Sequence, residues 1–203
     1  MKSPLLTLSL AILFLAGCVN SDPNVSKEPA GIDAKAEADA AIATNPIVSR
    51  SGFDNAKTVS MVPHSNTQNS TDLIHTGLGA QWNAAHPDDL ILIVEVSTLR
   101  DRRGITATEL TGITGAELNI DGEKIALGLT GTVPDLQDNF LMKEFTNGFA
   151  TKLSTLDKIL KSKRAWLRVY TPTGTVEGAV VDNGVKSGAY NALEKFMAAV
   201  MTP

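Results

Sequence analysis

Asp121-Gly122 sits between two runs of alternating polarity, Ala116-Glu-Leu-Asn-Ile120 and Glu123-Lys-Ile-Ala-Leu-Gly-Leu129, and constrains the chain more than any other stretch. An Asp-Gly pair can supply the two positive φ angles of a type I′ turn, and that turn fixes the register of its hairpin. With a two-residue loop, Leu118 faces Ile125 and Ala116 faces Leu127, which puts apolar pairs on one side. A chain holding this hairpin must build its core against one face of an antiparallel sheet.

Other stretches extend the same reading. Leu90-Ile-Leu-Ile-Val-Glu-Val96 is an apolar run rich in β-branched residues, bounded by Pro87-Asp88-Asp89 and Arg100-Asp101-Arg102-Arg103-Gly104. It predicts a central strand covered on both faces. A second hairpin is predicted between Ala165 and Val181, with Pro172 opening a type I turn and Gly174 taking the left-handed position of a three-residue loop. That register sets Val169, rather than Arg168, opposite Glu177, so these two charges should point to opposite faces. Shorter strands are predicted for Lys57 to Val62, Gly77 to Trp82 and Phe149 to Leu153.

Two helices stand among the strands. One is expected to start from a Ser154 cap and to carry Leu156, Ile159 and Leu160, with Lys161, Lys163 and Arg164 near its negative end. The other follows Ser187, places Ala189, Leu193, Phe196, Met197 and Val200 on one stripe, and stops by Pro203. Together the elements predict an α+β domain, mainly antiparallel β sheet or sandwich, with a short inserted helix and a C-terminal helix packed on it. About seven strands would also fit a closed barrel.

The N-terminus has a separate character. Lys2 precedes an apolar run from Leu5 to Leu15, too short for a permanent membrane span, and the run ends in Leu15-Ala16-Gly17-Cys18. This stretch resembles the lipobox of bacterial lipoproteins. The resemblance implies a signal peptide over residues 1–17, cleavage before Cys18, and lipidation of Cys18 by diacylglycerol and a further acyl chain such as palmitate. Two or more chains give stable anchoring where one gives marginal binding. Val19 follows the cysteine where an Asp would imply retention in the inner membrane, so the resemblance implies the periplasmic face of the outer membrane. Cys18 is the single cysteine of the chain, and the domain beyond it can form no internal disulfide.

Residues 18–51 read as the lipidated cysteine and a flexible linker, poor in large apolar residues until Ile47. Residues 52–203 read as a single β-rich periplasmic domain. The full chain carries 18 basic and 22 acidic residues, and loss of residues 1–17 removes one of the basic ones, Lys2. No basic field for nucleic acid is present.

Chemical motifs are sparse. His64, His75 and His86 are spaced eleven apart and could in principle share a metal, but no two lie i,i+4 on a helix. Ala84-Ala-His-Pro-Asp-Asp89 resembles the opening of zinc-dependent deacetylases acting on N-acetylglucosamine conjugates. Leu90 stands where that family has Glu, the apolar strand follows instead of preceding, and no histidine comes after His86. Thr76-Gly-Leu-Gly-Ala80 has no helix after it to make a dinucleotide loop, and no phosphate-binding loop or Gly-x-Ser-x-Gly elbow is found. Trp82, Trp166 and Tyr170 could line a ligand groove, with core packing the favoured reading. Glu95, Glu177 and Arg168 read as solvated strand positions, and Arg100 to Arg103 as a solvated loop.

The sequence therefore assigns no catalytic residue, no metal ligand and no cofactor. It leads to a non-enzymatic, membrane-anchored accessory or interaction module of the cell envelope, held to the membrane by its lipid and serving an envelope protein partner. The alternatives are a site for a small apolar or envelope-derived ligand between sheet and C-terminal helix, and a metal-dependent hydrolase.

Overall fold

The computed structural model describes residues 45–66, 74–99, 112–130, 135–138 and 142–203. The lipobox with Cys18, most of the expected linker and the Arg100–Arg103 stretch lie outside the described residues.

Twelve strands and two helices occur among the described residues. They are β1 (Ile47–Arg50), β2 (Lys57–Ser65), β3 (Ile74–Asn83), β4 (Asp89–Leu99), β5 (Gly115–Ile120), β6 (Glu123–Ala126), β7 (Gly128–Leu129), β8 (Asp135–Asp138) and β9 (Met142–Lys152). Then come α1 (Leu153–Lys161), β10 (Arg164–Thr171), β11 (Gly174–Asp182), β12 (Val185–Lys186) and α2 (Gly188–Met201). The strands divide between two antiparallel sheets. Sheet A has the order β1-β2-β3-β4-β9-β7, with β8 also paired to β9, and sheet B the order β12-β11-β10-β5-β6. The fold is α+β, as expected, and its strands are shared between two sheets instead of closing one barrel.

The Asp-Gly hairpin forms as predicted. Asp121 and Gly122 take φ of 49° and 95°, Leu118 pairs with Ile125, and the Leu127 amide donates to the Ala116 carbonyl at 3.0 Å. The second hairpin differs. Thr171 pairs with Gly174, which sets Arg168 opposite Glu177 and Val169 opposite Val176. Gly174, with φ of 148°, is taken into the ladder instead of the loop, and the pairs from Trp166 to Thr171 move by one residue, while an irregularity between Ala165 and Trp166 restores the expected Ala165–Val181 pair.

β4 lies inside sheet A between β3 and β9, but only one face is fully covered. Leu90, Leu92, Val94 and Val96 are buried, while Ile91, Ile93 and Glu95 alternate with them at intermediate exposure. The short strand predicted at Phe149 is the end of β9, and Leu153 already belongs to α1. Lys152 occupies the cap of α1 without a side-chain bond, correcting the expected Ser154 cap. The helix start is fixed instead by the Leu153 amide donating to the Asp88 carbonyl at 2.9 Å. The Ser187 cap of α2 forms, its side chain accepting from the Tyr190 amide at 3.0 Å.

β1 draws residues 47–50 of the expected linker into sheet A, pairing Ile47 with Ser60 and Arg50 with Lys57. All four of its side chains are exposed. Such an edge strand is held by backbone bonds, which leave no hydrophobic pattern in the sequence to betray it.

One continuous core joins both sheets and both helices. Leu78, Leu92 and Phe149 from sheet A meet Leu118, Leu167 and Val169 from sheet B, with Leu156 and Ile159 of α1 and Leu193 and Phe196 of α2. The far end of α2 is clasped by Lys57, whose buried side chain donates through Nζ to the carbonyls of Ala199 at 2.6 Å and of Thr202. Those carbonyls are among the four that a helix C-terminus leaves unpaired. Tyr190 ties the helices together through its hydroxyl, which donates to the Leu160 carbonyl at 2.7 Å.

Candidate ligand-binding face

Period-two alternation along β10 sends Ala165, Leu167 and Val169 into the core and leaves Arg164, Trp166, Arg168 and Tyr170 on the opposite face. Registers with β5 and β11 assemble these outward residues into rows. Glu117, Arg168 and Glu177 stand side by side across three strands, and the next row holds Asn119, Trp166 and Ala179. Arg164 and Asp182 form a further pair.

The rows floor a hollow of about 720 Å³ bounded by the Asp121-Gly122 turn, Lys124 and Lys163. Its two ends differ electrically. At one, Arg168 lies between two carboxylates, its Nε donating to Glu177 at 2.6 Å and its Nη1 standing 3.8 Å from Glu117. Glu177, by hydrogen bond and charge, holds the guanidinium pKa above its ordinary value, with Tyr170 adding to the effect. At the other end, Arg164 is paired with Asp182 at 2.8 Å. The Asp121 carboxylate accepts the backbone amides of Arg164 at 2.8 Å and Lys163 at 3.3 Å. Lys124 and Lys163 make no side-chain ion pair among the described residues.

The three aromatic candidates separate. Trp82 is a core residue, its indole Nε1 donating to the Pro87 carbonyl at 2.9 Å. Trp166 and Tyr170, expected in the core, are half-buried on the outer face instead. Their parity with Arg164 and Arg168 along β10 is the sequence signal that places them there. The expectation that Arg168 and Glu177 point apart is likewise corrected by the one-residue change in register.

A second hollow, of about 460 Å³, lies on the outer face of sheet A against Ile93, Glu95, Glu144 and the Val62-Pro63 segment. The β2 ladder is irregular between Met61 and His64, and the Val62-Pro63 segment folds over β3. A Cβ on Gly79 would come 2.5 Å from the Met61 carbonyl oxygen, and one on Gly77 would come 3.2 Å from both Pro63 and Glu95. The two glycines of Thr76-Gly-Leu-Gly-Ala80 thus admit a crossing backbone, not a cofactor. Glu95 beneath it is no solvated strand residue. Burial pushes its carboxyl up to about 7, the Glu144 charge adds to the rise, and a hydrogen bond with Ser97 opposes it.

The histidines do not converge. His75 sits near the start of β3 and His86 in the turn beyond its far end. At about 3.3 Å per residue, the eight steps from His75 to Asn83 alone span about 26 Å. No group of three or more His, Cys, Asp or Glu residues suited to a metal ion occurs among the described residues. Asp89 of the Ala84 to Asp89 stretch accepts from Lys152 Nζ at 2.6 Å, and that bond with its charge holds the carboxyl below its ordinary range. Between α2 and the sheets, where an apolar ligand was one expectation, Leu193 and Phe196 are fully buried in the common core.

Comparison with protein-family models, with curated proteins and with solved structures gave no match.

Proposed function

We propose that the chain is a non-enzymatic lipoprotein of the bacterial envelope, tethered through Cys18 to the periplasmic face of the outer membrane, whose domain binds an envelope component on the outer face of sheet B. The observation that carries the binding assignment is the hollow floored by Trp166. An aromatic side chain turned away from the core is set there among paired and unpaired charges. Concave sites lined by an aromatic surface and a few directed polar groups are the usual form of a ligand site. The Leu15-Ala-Gly-Cys18 stretch supports the tether, since two acyl chains would hold the domain stably at a bilayer.

In this reading the two sheets are layers of a sandwich capped by α2. The contribution of both sheets to one core supports that arrangement. No helix among the described residues is long and apolar enough to cross a membrane, and a lipid anchor requires none.

Growth of the host with an alkyne fatty acid should label the wild-type chain and leave Cys18→Ser unlabelled. In-cell crosslinking from the outer face of sheet B should capture an envelope component, and Trp166→Ala should abolish that capture. Absence of labelling would remove the tether; capture indifferent to Trp166 would remove the binding face.

A further inference from the structure

We propose that the sheet B hollow is a site for an acidic saccharide, a pyranose ring seated on Trp166 with its carboxylate or phosphate toward Lys124 and Lys163. The inference rests on the reading of this face as the binding surface and names the ligand's chemistry. A hollow of about 720 Å³ falls within the range of roughly 300–1,000 Å³ typical of small-ligand sites.

Three features select this class. First, a pyranose ring presents a patch of C–H bonds on one face and hydroxyls around its edge. An indole offers a broad apolar surface for the first. Secondly, each hydroxyl both donates and accepts, and the row Glu117-Arg168-Glu177 offers acceptor, donor and acceptor in register across three strands. A purely apolar ligand would leave that row unused, and a simple anion would meet two carboxylates there.

Thirdly, the cationic groups are not equivalent. Arg164 and Arg168 already hold carboxylates, and the Asp121 oxygens are engaged by backbone amides. Lys124 and Lys163 have no ion-pair partner among the described residues, and both border the hollow at its turn end. An anion on the ligand would complete that end without displacing an existing pair. The ligand is thereby oriented, with hydroxyls at the Arg168 row and negative charge at the lysines. Carboxylate and phosphate are the same chemistry for two ammonium groups, and parallel titration with N-acetylmuramic acid and N-acetylglucosamine 6-phosphate separates them.

The full-length protein in detergent micelles provides the test, since its two tryptophans give separate indole N–H resonances. Trp82, bonded to Pro87 in the core, serves as internal reference. N-acetylmuramic acid and N-acetylglucosamine differ by one lactyl carboxylate, and inorganic phosphate supplies charge without a ring. The Trp166 resonance should shift with the acidic sugar at a concentration at least tenfold below that needed for the neutral sugar, and phosphate should not move it. Lys124→Ala with Lys163→Ala, both exposed positions, should make the two sugars equivalent while the Trp82 resonance reports an intact fold.

Equal response to both sugars, or a response to phosphate as strong as to the acidic sugar, would overturn the proposal. If neither sugar binds while crosslinking from this face still captures an envelope component through Trp166, the saccharide assignment falls and the binding face stands. If Trp166→Ala leaves that capture unchanged as well, both fall together.

Discussion

Gly178 of β11 lies so close to Thr76 of β3 that a Cβ at position 178 would overlap the Thr76 hydroxyl and come 2.9 Å from the Asn66 Cβ. At this point the two sheets touch through backbone and a small polar cluster, with Asn66 Nδ2 donating to Thr76 Oγ1 at 3.0 Å. Gly178→Ala should destabilise the protein by about 1–3 kcal/mol, the usual cost of overpacking a filled site. Urea denaturation measures it. Combination with Thr76→Ala, which removes the clashing oxygen, should recover part of the loss, and strict additivity of the two substitutions would contradict the contact.

Glu95 makes stability depend on pH in a direction opposite to that of most carboxylates. Its folded pKa of about 7 lies above the ordinary 4.5, so the proton belongs to the folded state. Below pH 4.5 both folded and unfolded chains hold it. Between pH 4.5 and 7 the unfolded chain releases it first and stability falls as pH rises. Allowing for the part of the side chain that solvent still screens, the fall should be about 1–2 kcal/mol. Glu95→Gln should remove this component and leave the variant more stable than wild type at pH 8, as read from denaturation midpoints across the range.

Lys57 should prove among the costlier polar residues to remove. Lys57→Met keeps much of the aliphatic stem but leaves the terminal carbonyls of α2 unpaired where the side chain was buried. A loss of about 2–3 kcal/mol is expected, the range for hydrogen bonds made by a charged group and for buried acceptors left unsatisfied. Amide exchange should rise first in the last turn of α2, with β4 and β9 still protected.

Trp166→Phe separates the ring from its N–H. The indole Nε1 is buried and makes no hydrogen bond among the described residues, and an unpaired buried donor costs about 1–3 kcal/mol. Removing it should offset the apolar area lost with the smaller ring, leaving stability within about 1 kcal/mol of wild type. Thermal unfolding of the variant provides the check.

Much of the fold is legible because turn chemistry and alternation act locally. Asp121-Gly122 dictates its own hairpin, and Ser187 announces α2 at the residue where the helix is capped. Gly174 shows where this reasoning stops. A glycine with positive φ is compatible with the loop or with the ladder beside it, and the difference of one residue decides whether Arg168 meets Glu177. Strand β1 was hidden because a fully exposed edge carries no apolar rhythm. Glu95 was misplaced because what covers it is the Val62-Pro63 segment crossing from β2, a nonlocal event. The outer face of sheet B was half visible: the parity of Trp166 with two arginines was in the sequence, while the assembly of its rows needed the pairing of β5 with β10 and β11.

The clasp between Lys57 and the end of α2 joins residues 142 and more positions apart. Contacts of such sequence separation form late, because the loop they close must be ordered before they return any energy. A chain delivered from its N-terminus would therefore hold β2 without its last bonds until the final turn of α2 arrives. Loss of the last turn of α2 would undo a bond made by one of the first strands.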